Sequence, residues 1–418
     1  MVQERNVHER AGCLERLRSV VLLENFLYDQ QHLQQKIQER ARKEFPSSTP
    51  AESDQLEHLL EKCLKFAPRE VKRFKNSESF VKVLTNVREK DVHLFYKFKL
   101  PEDPLAAENS ESSLVDSYLL QLCVTLDGLM RSGVNSITVY VPFLPYLRQD
   151  KKDDGRVPIS AKLVFNLLES AAAGKLKRIC TFDMHAQQEQ GFWDGPVDDL
   201  PAGPEFAAYY RGLFSSEEGF DVHKMGESVE VMAADAGGVK RTDKMAQMLK
   251  CRWDVFTKLR TAHSEADTRL DLTQSLQGKK VIIAEDMIDT CGSIAGEKEK
   301  GKEGPIPYLI RKGAQVYVCA THAVFSAKNG ISAERRLRES GGKIVVTDSL
   351  QRRRSDYYQE HKDWLTVISL DYVLAKAFFC NQAGDSISDF LRNREEGIKA
   401  EKVDFKVTAS GSKYTVEG

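Results

Sequence analysis

The fourteen residues Val281-Ile-Ile-Ala-Glu-Asp-Met-Ile-Asp-Thr-Cys-Gly-Ser-Ile294 constrain the fold more than any other stretch of the chain. Val281 to Ala284 is an unbroken apolar run, the pattern of a parallel strand buried on both faces. Two adjacent carboxylates, Glu285 and Asp286, stand where that strand is expected to end. After Met287 and Ile288 comes Asp289-Thr290-Cys291-Gly292-Ser293, small and hydrogen-bonding, with a glycine for a tight turn and N–H groups that would open the next helix. Paired carboxylates suit a polyol or a hydrated metal, and the loop suits a phosphate. Together they describe a sugar phosphate better than a nucleotide. A plain strand-to-turn with solvated acids would carry the same residues.

Around this stretch the chain alternates. Strands are expected at 137–143, 178–182, 229–233, 254–257, 279–284, 316–320, 344–347 and 365–369, with helices at 158–173 and 242–250. Earlier, Val20 to Leu23 and Phe26 to Tyr28 suggest a strand before a Gln- and Arg-rich helix, and strands are expected at 80–84 and 92–98. Val115, Tyr118, Leu119, Leu122, Leu126 and Leu129 form the stripe of a helix that Gly133 stops. The alternation predicts an α/β chain with two doubly wound parallel-sheet domains, in which ligands collect beyond the carboxyl ends of strands.

At 418 residues and 41% apolar content the chain can fill two such cores. Gly195 to Pro204, rich in proline and glycine, divides an N-terminal domain, 1–200, from a C-terminal domain, 201–375, leaving 376–418 as a helix and tail. Residues 1–15 read as a polar arm. Pro46 to Pro50 reads as a linker, within a variable portion near 46–66 where Asp54 and Glu57 can cap a helix. Gly296-Glu-Lys-Glu-Lys-Gly-Lys-Glu-Gly-Pro305 reads as a mobile insertion into the helix after the phosphate loop.

A formal net charge of −1 gives no field favouring nucleic acid or an anionic membrane. The eight cysteines form no CxxC pair and no zinc spacing, so they read as free thiols in a reducing compartment. No apolar run is long enough to span a bilayer and the N-terminus is too charged for a signal peptide, so a soluble, cytoplasmic protein is expected.

The wording of 281–294 resembles the PRPP motif shared by type I phosphoribosyltransferases and ribose-phosphate pyrophosphokinases (PRPP synthetases), and Asp-Thr-Cys-Gly-Ser looks like the synthetase form. Glu285 departs from the synthetases' usual Asp, whereas the transferases often carry Glu-Asp there. Further motifs follow the synthetase order: Phe74-Lys-Asn76-Ser-Glu78, Pro145-Tyr-Leu-Arg148-Gln149-Asp150-Lys-Lys, Thr181-Phe-Asp183-Met-His185 running on to Gly191-Phe192, Ala234-Asp235-Ala-Gly-Gly-Val-Lys-Arg241, Lys258-Leu-Arg260 and Thr321-His-Ala-Val-Phe-Ser326. Ala234 replaces the family's proline.

The resemblance implies the type I phosphoribosyltransferase-like fold and Mg²⁺-dependent transfer of the diphosphoryl group of ATP to the C1 hydroxyl of ribose 5-phosphate, giving PRPP and AMP. It assigns Phe74, Asn76, Glu78, Arg148, Gln149 and Asp150 to ATP, and Lys258 and Arg260 to stabilising the moving group. Glu285 and Asp286 would hold the ribose hydroxyls, and Asp289, Thr290, Cys291, Gly292 and Ser293 the 5-phosphate. His185 and Asp235 would place the metal. Lys-x-Arg in an extended chain presents both cations on one side, though by itself that is unremarkable. The resemblance also implies a homo-oligomer built from dimers, up to a hexamer, with Phe74 serving a neighbouring subunit.

Arg88, Arg156 and Ser326 stand for an effector anion site, although Gln187, Asp199 and Pro201 differ from the residues usual at other effector positions. Two other readings fit less well. A non-catalytic, synthetase-associated subunit would not need Lys258, Arg260, His185 and Asp235, and a phosphoribosyltransferase would not need Phe74 or Arg148-Gln149-Asp150.

Overall fold

The computed structural model describes residues 17, 19–24, 30–44, 53–54, 56–58, 60, 64–108, 110, 113–256, 275–352 and 356–399, with the strands 258–261, 264–268, 406–410 and 413–417. The arm at 1–15, Phe26 to Tyr28, the linker Pro46 to Pro50 and the side chains of Lys258 and Arg260 lie outside the described residues. The chain forms two compact units. The first comprises Met1–Lys99, Leu114–Leu200 and Asp371–Asp389, and the second Leu100–Ser113, Pro201–Leu370 and Phe390–Gly418.

In the first unit the strands are β1 (Val20–Glu24), β2 (Arg69–Arg73), β3 (Ser79–Val83), β4 (Asp91–Phe95), β5 (Ser136–Tyr140), β6 (Leu176–Phe182) and β7 (Val197–Leu200). Five of them, in the order β1-β4-β5-β6-β7, form a wholly parallel sheet, and β2 and β3 make a separate antiparallel hairpin. Consecutive residues of β4, Val92 to Phe95, are all buried, so both faces of the sheet are covered and the strand reads as a continuous run. Leu119, Leu122, Leu126 and Leu129 are the buried stripe of the helix Leu114–Arg131, and Gly133 follows it in the left-handed region at φ +76°.

One sheet face is closed by a helix from far along the chain, Asp371–Ala383. Phe378 meets His93 with ring centroids 4.8 Å apart, and Asn381 Nδ2 donates to the Tyr140 hydroxyl at 3.0 Å. Residues 376–418, expected as one helix and tail, are therefore divided between the units.

The second unit holds β8 (Val229–Ala233), β9 (Arg252–Val255), the hairpin β10 (Lys258–Thr261) and β11 (Ser264–Thr268), then β12 (Lys280–Ile288), the short pair β13 (Gly296–Glu297) and β14 (Lys302–Glu303), β15 (Gln315–Ala323), β16 (Lys343–Thr347), β17 (Leu365–Ile368), β18 (Lys406–Ser410) and β19 (Lys413–Glu417). Its main sheet runs β9-β8-β12-β15-β16-β17-β19-β18, parallel from β9 to β19 with β18 antiparallel at the edge. Residues 399–418, expected as a tail, contribute those last two strands, anchored where Ser369 N–H donates to the Tyr414 carbonyl at 2.8 Å.

Alternation fills both faces of this sheet. Val281, Ile283, Val316, Val318, Ile344 and Val346 belong to one core cluster. Tyr317 packs against Tyr210 and Phe214 of the helix Gly203–Ser215, at ring separations of 5.8 and 5.2 Å. The α/β class with parallel sheets is borne out.

Candidate active site

The second unit has a topological switch point. From β8 the chain passes through the helix Val239–Leu249 to β9 on one flank, then returns to β12 on the other flank of β8. Loops leaving the carboxyl ends of two strands that diverge in this way bound a crevice, the usual ligand position in open α/β sheets. Asp235 follows β8 and residues 289–293 follow β12, so the crevice is lined by two of the stretches singled out in the sequence.

One expectation is corrected here. The strand does not stop before the carboxylates: β12 continues through Glu285, Asp286, Met287 and Ile288, because β15 runs beside it as far as Ala323. Successive strand residues project to opposite faces, so Glu285 and Asp286 diverge rather than form one paired acid. Asp286 is buried at 8% exposure, 3.7 Å from the Arg241 guanidinium on the helix Val239–Leu249. Arg241 ends the sequence motif begun by Ala234-Asp235, yet motif reading gave it no role.

The turn after β12 is also built differently. Cys291, not Gly292, takes the left-handed backbone at φ +64°, and the helix it caps, Gly292–Ala295, lasts four residues. A single turn contributes little dipole, so an anion here would depend on the loop's own amides. Among the described residues nothing accepts a hydrogen bond from the N–H of Thr290, Cys291, Gly292 or Ser293. Four successive unmatched donors make this loop a candidate anion cradle. Cys291 itself is buried, and burial holds its thiol well above the usual range, which removes it as a nucleophile.

The segment expected to be mobile, 296–305, is a hairpin of β13 and β14 tied down by ion pairs. Asp235 is exposed, and its Oδ1 accepts from Gly237 N–H at 2.9 Å, which fixes the carboxylate at the mouth of the crevice. Lys258 and Arg260 lie on β10, which pairs with β11 through a register shift between Leu259 and Thr261. Ser326 is half-buried in the loop after β15, next to Phe325, whose φ is +53°.

In the first unit, Arg148, Gln149 and Asp150 lie on a turn after β5. Tyr146, at φ +68°, donates its hydroxyl to Asp116, which pushes the phenol up to about 12. Gln149 accepts from Ser160 Oγ at 2.5 Å, and Asp150 accepts from Gln188 Nε2 at 3.2 Å. Gln188 comes from the turn that begins with His185, so the two motifs meet beyond neighbouring strands. His185 is exposed. Between them is a group sequence reading missed: Glu189 is fully buried, one of its oxygens has no hydrogen-bond partner, and burial pushes its carboxyl up to about 7.

Phe74 to Glu78 forms the tip of the β2–β3 hairpin, closed by Phe74 N–H to the Glu78 carbonyl at 2.9 Å and by Ser77 at φ +71°. Phe74 is 51% exposed and meets Phe80 edge-on, with ring centroids 5.7 Å apart. Arg88 lies ahead of β4, beside Gly133, and Arg156 follows β5.

Among the described residues no three His, Cys, Asp or Glu side chains group as a metal cage, and no helix is long and apolar enough to cross a membrane. An isolated exposed carboxylate such as Asp235 fits Mg²⁺, which takes few protein oxygens and fills its shell with water and substrate phosphates.

Residues 29–172 match the family model for the N-terminal domain of ribose phosphate pyrophosphokinase. The chain is 33% identical over 333 residues to the ribose-phosphate pyrophosphokinase of Fusobacterium nucleatum, covering 78% of this chain and 91% of that one. It belongs to the ribose-phosphate pyrophosphokinase family. The Aquifex aeolicus ribose-phosphate pyrophosphokinase is 35% identical over 283 residues, 68% of this chain and 81% of its own. The crystal structure of phosphoribosylpyrophosphate synthetase from Mycobacterium smegmatis superposes with a TM-score of 0.63 at 27% identity, covering 87% of this chain and 98% of that one.

Proposed function

We propose that this chain is a ribose-phosphate diphosphokinase, transferring the diphosphoryl group of ATP to the C1 hydroxyl of ribose 5-phosphate to give PRPP and AMP. The observation that carries the reading is the run of unmatched N–H groups from Thr290 to Ser293, opening beyond the end of the strand that bears Asp286. A phosphate can satisfy such a run, and a nearby carboxylate on the preceding strand can accept from sugar hydroxyls.

On this reading Glu285 and Asp286 accept from the ribose hydroxyls, and the loop from Asp289 to Ser293 takes the 5-phosphate. Phe74 stacks on adenine, Asn76 and Glu78 read its edge, and Arg148, Gln149 and Asp150 orient the triphosphate. Phe74 serves the active site of a neighbouring copy, which makes a dimer-based homo-oligomer the working form. Lys258 and Arg260 stabilise the charge spread over the transferred group. No protein nucleophile is required, because positioning and charge stabilisation dominate phosphoryl transfer. Mg²⁺, held by Asp235 and His185 with water and substrate phosphates, would supply charge neutralisation. Arg88, Arg156 and Ser326 are the residues assigned to an effector anion.

The test is release of AMP from ATP and ribose 5-phosphate with Mg²⁺ and no added base, compared with Lys258→Ala. Turnover that the substitution abolishes supports the diphosphokinase. A wild type without turnover, which nonetheless associates with an active relative, would be a non-catalytic subunit.

A further inference from the structure

The hairpin β13–β14 brings a carboxylate against the phosphate loop. A side chain at Gly292 would begin 3.0 Å from Glu297 Oε1, so Gly292 is the residue that lets the two approach. Glu297 is only 7% exposed. Its Oε1 accepts from Lys328 Nζ at 2.6 Å, and its Oε2 lies 2.8 Å from Lys300 Nζ. Those two ammonium groups hold its carboxyl down to about 2. The pairing is braced in turn by Arg336, which donates through NH1 to Glu299 at 2.8 Å and through NH2 to the Lys328 carbonyl at 2.9 Å.

A carboxylate this close to a row of free N–H groups opposes an incoming anion unless its charge is matched. We propose that Glu297 and Lys328 are a positioning pair for the substrate phosphate: Glu297 packs the loop through Gly292, and Lys328, with Lys300, cancels the charge that would otherwise repel the anion. The inference rests on the assignment of residues 289–293 to the 5-phosphate. It also gives the insertion a role, since a helix cut to one turn needs another support, and it ties the loop after β15 to the cradle.

The test uses the full-length protein with Lys328→Met, Glu297→Gln, the double variant and Lys328→Arg. Lys328→Met is expected to raise KM for ribose 5-phosphate roughly tenfold while kcat and KM for ATP stay within about twofold. Adding Glu297→Gln, or using Lys328→Arg, restores that KM to near wild type. A double variant as impaired as Lys328→Met, or equal changes in both KM values, overturns the pair. Calorimetric titration with ribose 5-phosphate reads the same ratios without turnover. A chain that binds this sugar phosphate but makes no AMP therefore overturns the proposed reaction and not the pair, and one that binds none overturns both.

Discussion

The Arg241 guanidinium stands 3.7 Å from the Asp286 carboxylate, joining the helix after β8 to the strand on the other side of the switch point. With Asp286 almost buried, the pair fixes the carboxylate's direction. Asp286→Asn is expected to lower kcat/KM for ribose 5-phosphate roughly 10²-fold with KM for ATP little changed. Arg241→Ala should lower it less, and the double variant should be no worse than Asp286→Asn, since both act on one interaction. Additive losses in AMP-release kinetics would show that the two residues work separately.

Phe74 is about half exposed at its hairpin tip, where its ring meets Phe80 edge-on. If Phe74 stacks on adenine, Phe74→Ala should raise KM for ATP roughly tenfold, in line with the ~1–3 kcal/mol of a stacked base, and leave folding intact. Mixing Phe74→Ala with Asp286→Asn subunits should restore part of the activity if the aromatic serves a neighbour, and none if it serves its own chain.

Glu189 makes stability depend on pH. Its carboxyl is raised to about 7 by burial, helped by Asp150 and Asp199 and opposed by the Ala186 N–H and His185. The folded chain therefore keeps a proton that the unfolded chain releases, so this residue's contribution falls as pH rises from about 4.5 to about 7 and is flat above that. Glu189→Gln cannot titrate, and the loss between pH 5 and pH 8 should shrink by about 2 kcal/mol in urea unfolding. Identical pH profiles for the two proteins would rule this out.

Phe378 is fully buried against His93, and its helix reaches the first unit from the far end of the chain. Phe378→Ala should destabilise that unit by about 3–5 kcal/mol. Denaturation followed by tryptophan fluorescence of Trp193, which lies in that unit, measures it. A change below about 1 kcal/mol would mean the helix is not part of that core.

The sequence announced the strands that are buried on both faces, because continuous runs such as Val281 to Ala284 have few other uses. It placed Asp235 and the loop 289–293 at strand ends for the same reason. It could not show that β12 runs on through Glu285 and Asp286, since a partner strand decides that and β15 happens to be as long. Nor could periodicity assign the helix Asp371–Ala383, whose buried residues lie all around it and point to no single face. The edge strands at 406–417 are short and mix Lys, Thr and Ser with Val, so pairing with β17, through Tyr414, defines them where pattern does not. The Arg241–Asp286 approach and the burial of Glu189 were invisible in the sequence because each is a matter of distance or burial, not of a letter.

The account's central claim is that the anion cradle and the cationic β10 belong to one diphosphoryl-transfer site. The most direct measurement is ATP- and ribose 5-phosphate-dependent formation of AMP and PRPP by the wild type, Lys258→Ala and Arg260→Ala, with binding of both substrates followed in parallel. The account predicts turnover by the wild type, a fall of about 10²–10³ in kcat for each variant and retained binding. Unchanged turnover in both variants, or a wild type that binds both substrates and forms no AMP, would contradict it.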